Sequence, residues 1–345
     1  MKNLDFVTGK IKKPYLENSA RELAKKIFGD FMLYRRVPRV GDECANENCE
    51  QCTSMHLEKI ISAVVSNEAV TFVLPAFPGK SPNPEKVLGP LPDFAEELSL
   101  KFLNGLCEKI KTYYEPGVKI IICSDGRVFS DVVGMREHHV TEYQMRLDEM
   151  ITELSLSDIS TFNLDHVFSD LNFSQMRDEL MKKHGKSLEF LQHKIRSGND
   201  NQGTVDEQEA NRMFRGMTRF MLEDSTFKGQ TKSRAALQKL AKAKAYEVIR
   251  RSNAWSELIA EHFPYAVRLS IHPQACGGKK LGLRLVGNES WMTPWHGVAL
   301  ETRNGFVLMK RAEAEALNAE LIFFSDGRPS HFKLQDEKEI LLGGF

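Results

Sequence analysis

Residues 69–127 read AVTFVLPAFPGKSPNPEKVLGPLPDFAEELSLKFLNGLCEKIKTYYEPGVKIIICSDGR. An apolar, β-branched run stops at Pro75, and a loop rich in proline and glycine follows. Asp93 stands where a helix N-cap belongs, ahead of a long helical pattern closed by Pro116-Gly117. VKIIIC is then a continuous apolar run of the kind buried on both faces of a parallel sheet. Strand, loop, helix, strand is a βαβ unit, with a right-handed crossover and parallel strands. In open sheets of this class ligands bind beyond the carboxyl ends of the strands. The loops AFPGKSPN and SDGRVFSD leave two such ends, so they should face one crevice if the strands are neighbours.

Around this unit the spacing predicts a helix over about 19–28 and another from Thr53 to Ser66. Helix resumes near Glu137, and residues 174–262 read as several helices. GNDNQGTVDEQ (198–208) breaks that stretch as a polar loop. KSRAALQKLAKAKAYEVIRRS is a basic helix with a solvated face, from which Arg234 could still reach an anion. From Tyr265 onward short alternating runs are split by Gly, Asn and Pro, and RNG at 303–305 marks a hairpin turn. The fold class expected is α/β: a Rossmann-like, mostly parallel sheet flanked by helices, with a helical middle segment and a β-rich C-terminal part. The divisions are 1–160, 161–262 and 263–345, joined in one compact catalytic unit.

The 345 residues are 41% hydrophobic and 27% charged, with 47 basic against 47 acidic side chains. That balance argues against a nucleic-acid or anionic-membrane partner. The N-terminus lacks the apolar core of a signal peptide, and no run approaches the length of a membrane span, so a cytoplasmic location is expected. Six cysteines are too few for a disulfide framework. Cys44, Cys49 and Cys52 cluster ahead of His56 at metal-ligand spacing, but no second Cys-x-x-Cys completes a zinc ribbon. Reduced thiols at a helix start are the expectation, with no metal and no cofactor. The sequence is silent on oligomeric state and compatible with a homodimer.

Gly79-Lys80-Ser81 invites comparison with a phosphate-binding P-loop. That motif needs a glycine five residues before Gly79 and a helix directly after. Leu74 holds the first position, and Pro78 and Pro82 flank the key residues, so nucleotide hydrolysis is disfavoured. Lys80 is either a point-charge phosphate binder or a lysine in a stiff loop. Asp125, Arg127 and Asp131 follow a buried strand closely. Arg127 offers a fork for carboxylate or phosphate, or a salt bridge within a tight turn. Arg268, Ser270 and His272 alternate in RLSIHPQ and would share one polar face of a strand. Trp295 and His296 stand near another strand start, and the two histidines suit proton transfer near neutral pH. No dinucleotide fingerprint, His-Glu-x-x-His or Gly-x-Ser-x-Gly is present.

FVLPAFPGKSPNPEKVLGPLPD, IIICSDGRVFSDVVG, VIRRSNAWSELI, RLSIHPQ, TPWHG and CEQCTSMHLEKII together resemble the isonitrile (isocyanide) synthase family, also called the pyoverdine/dityrosine biosynthesis family. The blocks keep the family's order from about Cys49 to His331; Gly79 departs mildly, where a small residue such as alanine or cysteine is expected. The resemblance implies conversion of an aromatic amino acid's α-amine, tyrosine favoured over tryptophan, into an isonitrile. The carbon would come from C2 of ribulose 5-phosphate, through imine formation, phosphate elimination and carbon–carbon cleavage. On that footing Lys80, Arg268 and Lys279 or Arg284 would hold the phosphate. Asp125 and Arg127 would bracket the amino-acid head group or sugar hydroxyls. His272 and His296 would shuttle protons, and Lys80 could instead be the base, so that Lys80→Met would abolish turnover in an intact fold. Ser81, Asn83, Ser124, Asp131, Ser270, Gln274 and Trp295 complete the candidate binding set. The resemblance also implies a non-haem iron, 2-oxoglutarate-dependent oxygenase acting on the product. The main alternative is a phosphosugar-binding regulatory module without catalysis, and a second is a metal-dependent enzyme using Cys49, Cys52 and His56.

Overall fold

A computed structural model describes residues 8–36, 49–199, 203–287 and 292–335, with side chains from residue 18 onward. Helices α1 (Thr8–Met32) and α2 (Glu50–Ser66) precede β1 (Val70–Pro75). Then come α3 (Phe94–Lys111), β2 (Val118–Cys123), α4 (Gly126–Val133), α5 (Glu137–Glu153) and β3 (Ile159–Phe162). The middle is α6 (Phe173–His184), α7 (Leu188–Ser197), α8 (Val205–Asp224) and α9 (Arg234–His262). Strands β4 (Val267–Ser270), β5 (Leu281–Gly282), β6 (Val298–Thr302) and β7 (Gly305–Met309) follow, then α10 (Arg311–Ala316), β8 (Glu320–Phe323) and β9 (Pro329–Lys333).

The expected βαβ unit is present. β1 and β2 pair in parallel, Val70 opposite Val118 through Pro75 opposite Cys123. Asp93 caps α3 with a full capping box, accepting from the Ala95 N–H while Glu96 accepts from the Asp93 N–H. The first sheet runs β3-β2-β1-β4-β5, all pairs parallel. Phe72, Leu74, Ile120 and Ile122 enter a core with α1, α2, α3 and α5, while Val73, Ile121 and Cys123 enter one with α4, α6, α8 and α9. That period-2 split, with both faces covered, is why these strands read as unbroken apolar runs.

Strand order reverses between β1 and β4. α3, which leaves β1, lies on one face, and α9, which enters β4, lies on the other. The chain therefore diverges above and below the carboxyl ends of these two strands and opens a crevice there. The second sheet runs β7-β6-β9-β8. Its Ala299, Leu308 and Phe306 pack on Phe94 and Ala95 of α3. The β6–β7 hairpin turns at Arg303-Asn304, with Gly305 at φ 105°. A short 3-10 turn, Pro294–His296, precedes β6 and reaches back to the proline loop, where the Ser81 N–H donates to the Trp295 carbonyl at 2.8 Å. Among the described residues no helix is long and apolar enough to cross a membrane.

Candidate active site

The two loops that leave β1 and β2 touch. The Ser124 hydroxyl donates to the Phe77 carbonyl at 2.7 Å. A Cβ on Gly126 would lie 1.9 Å from the Pro78 carbonyl oxygen, so only glycine permits this approach. SDGRVFSD differs from the loop expected: from Gly126 it is the helix α4, and Asp125 occupies the N-cap position. No side-chain cap bond is made there, so the Asp125 carboxyl remains available.

From that carboxyl a series of perturbed groups runs through Cys123, Arg268 and Lys280 to His272 and His296, each acting on the next. Burial pushes the Asp125 pKa up to about 7. Asp125 and Arg268 both act on the Cys123 thiol between them. The Arg268 guanidinium donates to the Ser256 backbone carbonyl and hydroxyl, and burial lowers its pKa. Burial and then Arg268 lower Lys280 to about 8. Neither cation has a carboxylate within ion-pair distance among the described residues, although Glu257 lies in their surroundings. His272 is open to solvent yet crowded by protein, as a crevice wall is; burial, Arg36 and Lys280 hold its pKa down to about 4. His296 is likewise held at about 4, chiefly by burial. Its Nδ1 has no hydrogen-bond partner among the described residues, and its ring meets Phe220 edge-on at 4.8 Å. Both imidazoles are therefore neutral near pH 7 and able to accept a proton or a hydrogen bond. Cations concentrated without a direct ion-pair partner form a ready anion site.

Other expected site residues are already engaged. Lys80 is not poised for a phosphate. Its ammonium is buried, 2.8 Å from Asp93 Oδ2 and 2.7 Å from Glu96 Oε2, and it donates to the Pro294 carbonyl at 3.0 Å. Two carboxylates and a carbonyl thus surround it. Burial pulls its pKa down, but the two carboxylates outweigh that and raise it, so it is also a poor base. Ser81 donates to Asp224 at 2.7 Å, and Asn83 donates to the Asp224 and Thr226 carbonyls, so both tie the loop to the end of α8. Arg127 pairs with Asp165 and lies over the Phe173 ring. Asp131 joins α4 to α9 and α6 through Arg251 and Arg177. Trp295 is 2% exposed and packs on Phe77, a core residue rather than a pocket wall.

β4 turns Arg268 and Ser270 away from Val267 and Leu269, as the alternation predicts, but the strand ends at Ser270 and His272 lies in the bend beyond. Ser270 accepts from the His272 N–H and the Gln274 amide, so these two shape the bend. Lys279 is exposed and its neighbour Lys280 enters the crevice instead. Arg284 donates to the Leu33 carbonyl near Tyr34. Arg234 is exposed at the start of α9.

Besides Lys280, the pattern missed three residues. Arg36, nearly buried, donates to the Ile271 carbonyl, and its own N–H donates to Gly282 at 2.8 Å. Lys86 and Asp224 form a buried pair at 3.1 Å beside His296. No local signal marks them, because each acts through a partner far along the chain. A cavity of about 470 Å³ lies at the proline loop, lined by Lys80 and Ser81 of the expected set together with Leu88, Met135, His139 and Arg311 among others. It contains none of the series from Asp125 to His296, so the chemistry is assigned to the crevice.

Cys44 lies outside the described residues. The sulfurs of Cys49 and Cys52 meet Cys276, not His56. His56 is buried beside Phe28, and burial lowers its pKa to about 4.

Residues 60–322 match the family model described as pyoverdine/dityrosine biosynthesis protein. The chain belongs to the pyoverdine/dityrosine biosynthesis family. Within it, the chain is 41% identical to the L-tyrosine isonitrile synthase of Pseudomonas aeruginosa, over 90% of this chain and 94% of that protein. It is 40% identical to an L-tryptophan isonitrile synthase of Fischerella ambigua, over 91% and 92% respectively. The crystal structure of the PvcA protein from Pseudomonas aeruginosa superposes with a TM-score of 0.83 at 40% identity, covering 90% of this chain and 99% of that one. The α/β architecture expected from the sequence is thus shared with a solved member of the family.

Proposed function

We propose that this family member is an isonitrile synthase, a lyase that converts the α-amine of an aromatic L-amino acid into an isonitrile with ribulose 5-phosphate as carbon donor. L-tyrosine is the first candidate substrate and L-tryptophan the second. The observation that carries the reading is the closeness of two cations, Arg268 and Lys280, in the C-terminal part of the sheet, with Asp125, poised near neutrality, just past β2 and linked to Arg268 through Cys123. It lies in a chain whose relatives at about this identity bear isonitrile synthase names.

In this reading Arg268 and Lys280, with Arg36 behind them, hold the sugar phosphate. Elimination leaves charge on the departing phosphate, and fixed cations stabilise charge that develops in the transition state. The amine must shed a proton before it attacks the ketone. Asp125, with its pKa near 7, and the neutral His296 accept and return such protons. His272, beside Lys280, serves the phosphate end. Lys80 becomes framework: it fixes the proline loop to the N-terminus of α3. The reaction as written moves protons and breaks bonds without a redox step, so it calls for no hydride carrier. The product would pass to a non-haem iron, 2-oxoglutarate-dependent oxygenase.

The test is incubation with ribulose 5-phosphate and either amino acid, followed by mass spectrometry. An isonitrile from one of them, lost in Asp125→Asn, is the expected result. Saturable sugar-phosphate binding with no product from any aromatic amino acid would favour the regulatory module instead.

A further inference from the structure

Three sulfurs converge outside the crevice. Cys49 is the N-cap residue of α2 and Cys52 lies in its first turn. Cys276 comes from the bend between β4 and β5. Its Sγ is 3.4 Å from that of Cys49 and 3.9 Å from that of Cys52, and all three lie within 4.8 Å of one another. We propose that Cys49, Cys52 and Cys276 bind one zinc-class divalent cation that staples the β4–β5 bend to α2.

The distances fit this ligand. Tetrahedral zinc with Zn–S bonds of about 2.3 Å places its sulfurs about 3.8 Å apart, between the two separations observed. The surroundings suit thiolates as well. A helix N-terminus favours negative charge. The Gly277 N–H points at Cys52 Sγ at 3.4 Å, the kind of outer contact that orients metal-bound sulfur. Gly277 itself has φ 70°, which lets the backbone turn immediately after Cys276. Gln51 Oε1, 3.1 Å from Cys276 Sγ, lies at the same spot. Two cysteines one helical turn apart and a third more than two hundred residues later do not meet by local preference. Cysteine is also the residue type that selects soft or borderline cations over magnesium or calcium.

The staple has a consequence for the crevice. The bend between Ser270 and Leu281, residues 271–280, carries His272 and Lys280 but contains no helix or strand of its own. Arg36 holds its two ends, through Ile271 and Gly282. Cys276 is midway between them. A cation there anchors the middle of the bend and so sets where Lys280 projects. Binding would release the thiol protons, so occupancy is favoured as pH rises.

The experiment uses the full-length chain, purified without chelators, and its readout is metal content rather than turnover. About one zinc per chain is expected, as for a single thiolate site. A mercurial that titrates thiols should release it, and exchange for cobalt(II) should give an intense thiolate-to-metal charge-transfer band. Cys276→Ser should bring zinc below about a tenth of that of the parent chain, since even outer contacts of such sites carry 10–100-fold effects. Cys107→Ser, in the core of α3, should leave it unchanged. Three outcomes overturn the site: metal-free parent protein with titratable thiols, a disulfide among these three cysteines, or zinc retained by Cys276→Ser. The cobalt spectrum and mercurial release need no variant, so a misfolded Cys276→Ser chain does not suspend the test.

Discussion

Lys279 and Lys280 are adjacent, yet only the second enters the crevice. Pairing of Leu269 with Leu281 fixes which way the chain faces as it rejoins the sheet. That pairing turns Lys280 inward beside Arg268 and leaves Lys279 exposed. The prediction concerns sugar-phosphate affinity. A charge-assisted hydrogen bond contributes about 1.5–3 kcal/mol, so Lys280→Met should raise the KM for ribulose 5-phosphate by roughly 10–100-fold. The KM for the amino acid should change little, and Lys279→Met should resemble the parent. Equal effects of the two variants would remove Lys280 from the phosphate site. The sequence alone offered Asp125, Arg268, His272 and His296, because polar residues at strand ends are legible from alternation and apolar boundaries. Of GGKK it offered Lys279, which is exposed, because two glycines erase the periodicity that would say which side chain faces in. Arg36 was invisible, since its partners lie at Ile271 and Gly282.

At the scale of the element, the N-terminus of α3 explains where the Lys80 ammonium goes. The capping box at Asp93 and Glu96 was readable, but that both carboxylates also embrace Lys80 is a tertiary fact. One lysine faces two buried carboxylates, and Glu96 also accepts from the Tyr143 hydroxyl at 3.1 Å. Burial first, and Glu96 second, raise Asp93 to about 7 against the attraction of Lys80. Its folded pKa thus lies above the ordinary 3.8. Between about pH 4 and 7 the folded chain holds a proton on Asp93 that the unfolded chain has released, so this contribution is present at low pH and lost as pH rises through about 7. Asp93→Asn keeps a residue able to cap the helix and should flatten that part of the fall, measured as Tm against pH. Lys80→Met should cost about 3–5 kcal/mol, because it strands two buried carboxylates. Denaturant unfolding reads this directly. It replaces the sequence-based expectation of an inactive but intact fold: a Lys80→Met chain as stable as the parent would return Lys80 to the list of dedicated catalytic groups.

At the scale of the molecule, the first sheet is assembled from both halves of the chain. β1, β2 and β3 come from the N-terminal part, while β4 and β5 arrive after the four middle helices and pair on the inner side of β1. The sequence showed the βαβ unit and the β-rich end. It did not show that this end supplies strands to two sheets, because strands of only two to four residues carry little pattern of their own. The crevice exists only at the junction, since Asp125 belongs to the first part and Arg268, His272, Lys280 and His296 to the last. We therefore predict that the divisions 1–160, 161–262 and 263–345 do not fold separately. Truncation after His262 would remove Val267, Leu269, Leu281, Leu283 and Trp295 from the larger core and expose the inner edge of β1. At roughly 1.5–3 kcal/mol for each large buried apolar side chain, that loss is of the order of the 5–15 kcal/mol that holds a typical domain together. An unpaired, apolar strand edge adds a route to aggregation. The 1–262 fragment should be insoluble or melt without cooperativity in calorimetry. A soluble fragment with a sharp transition would show that the N-terminal part is a domain in its own right and that the crevice lies between units rather than within one.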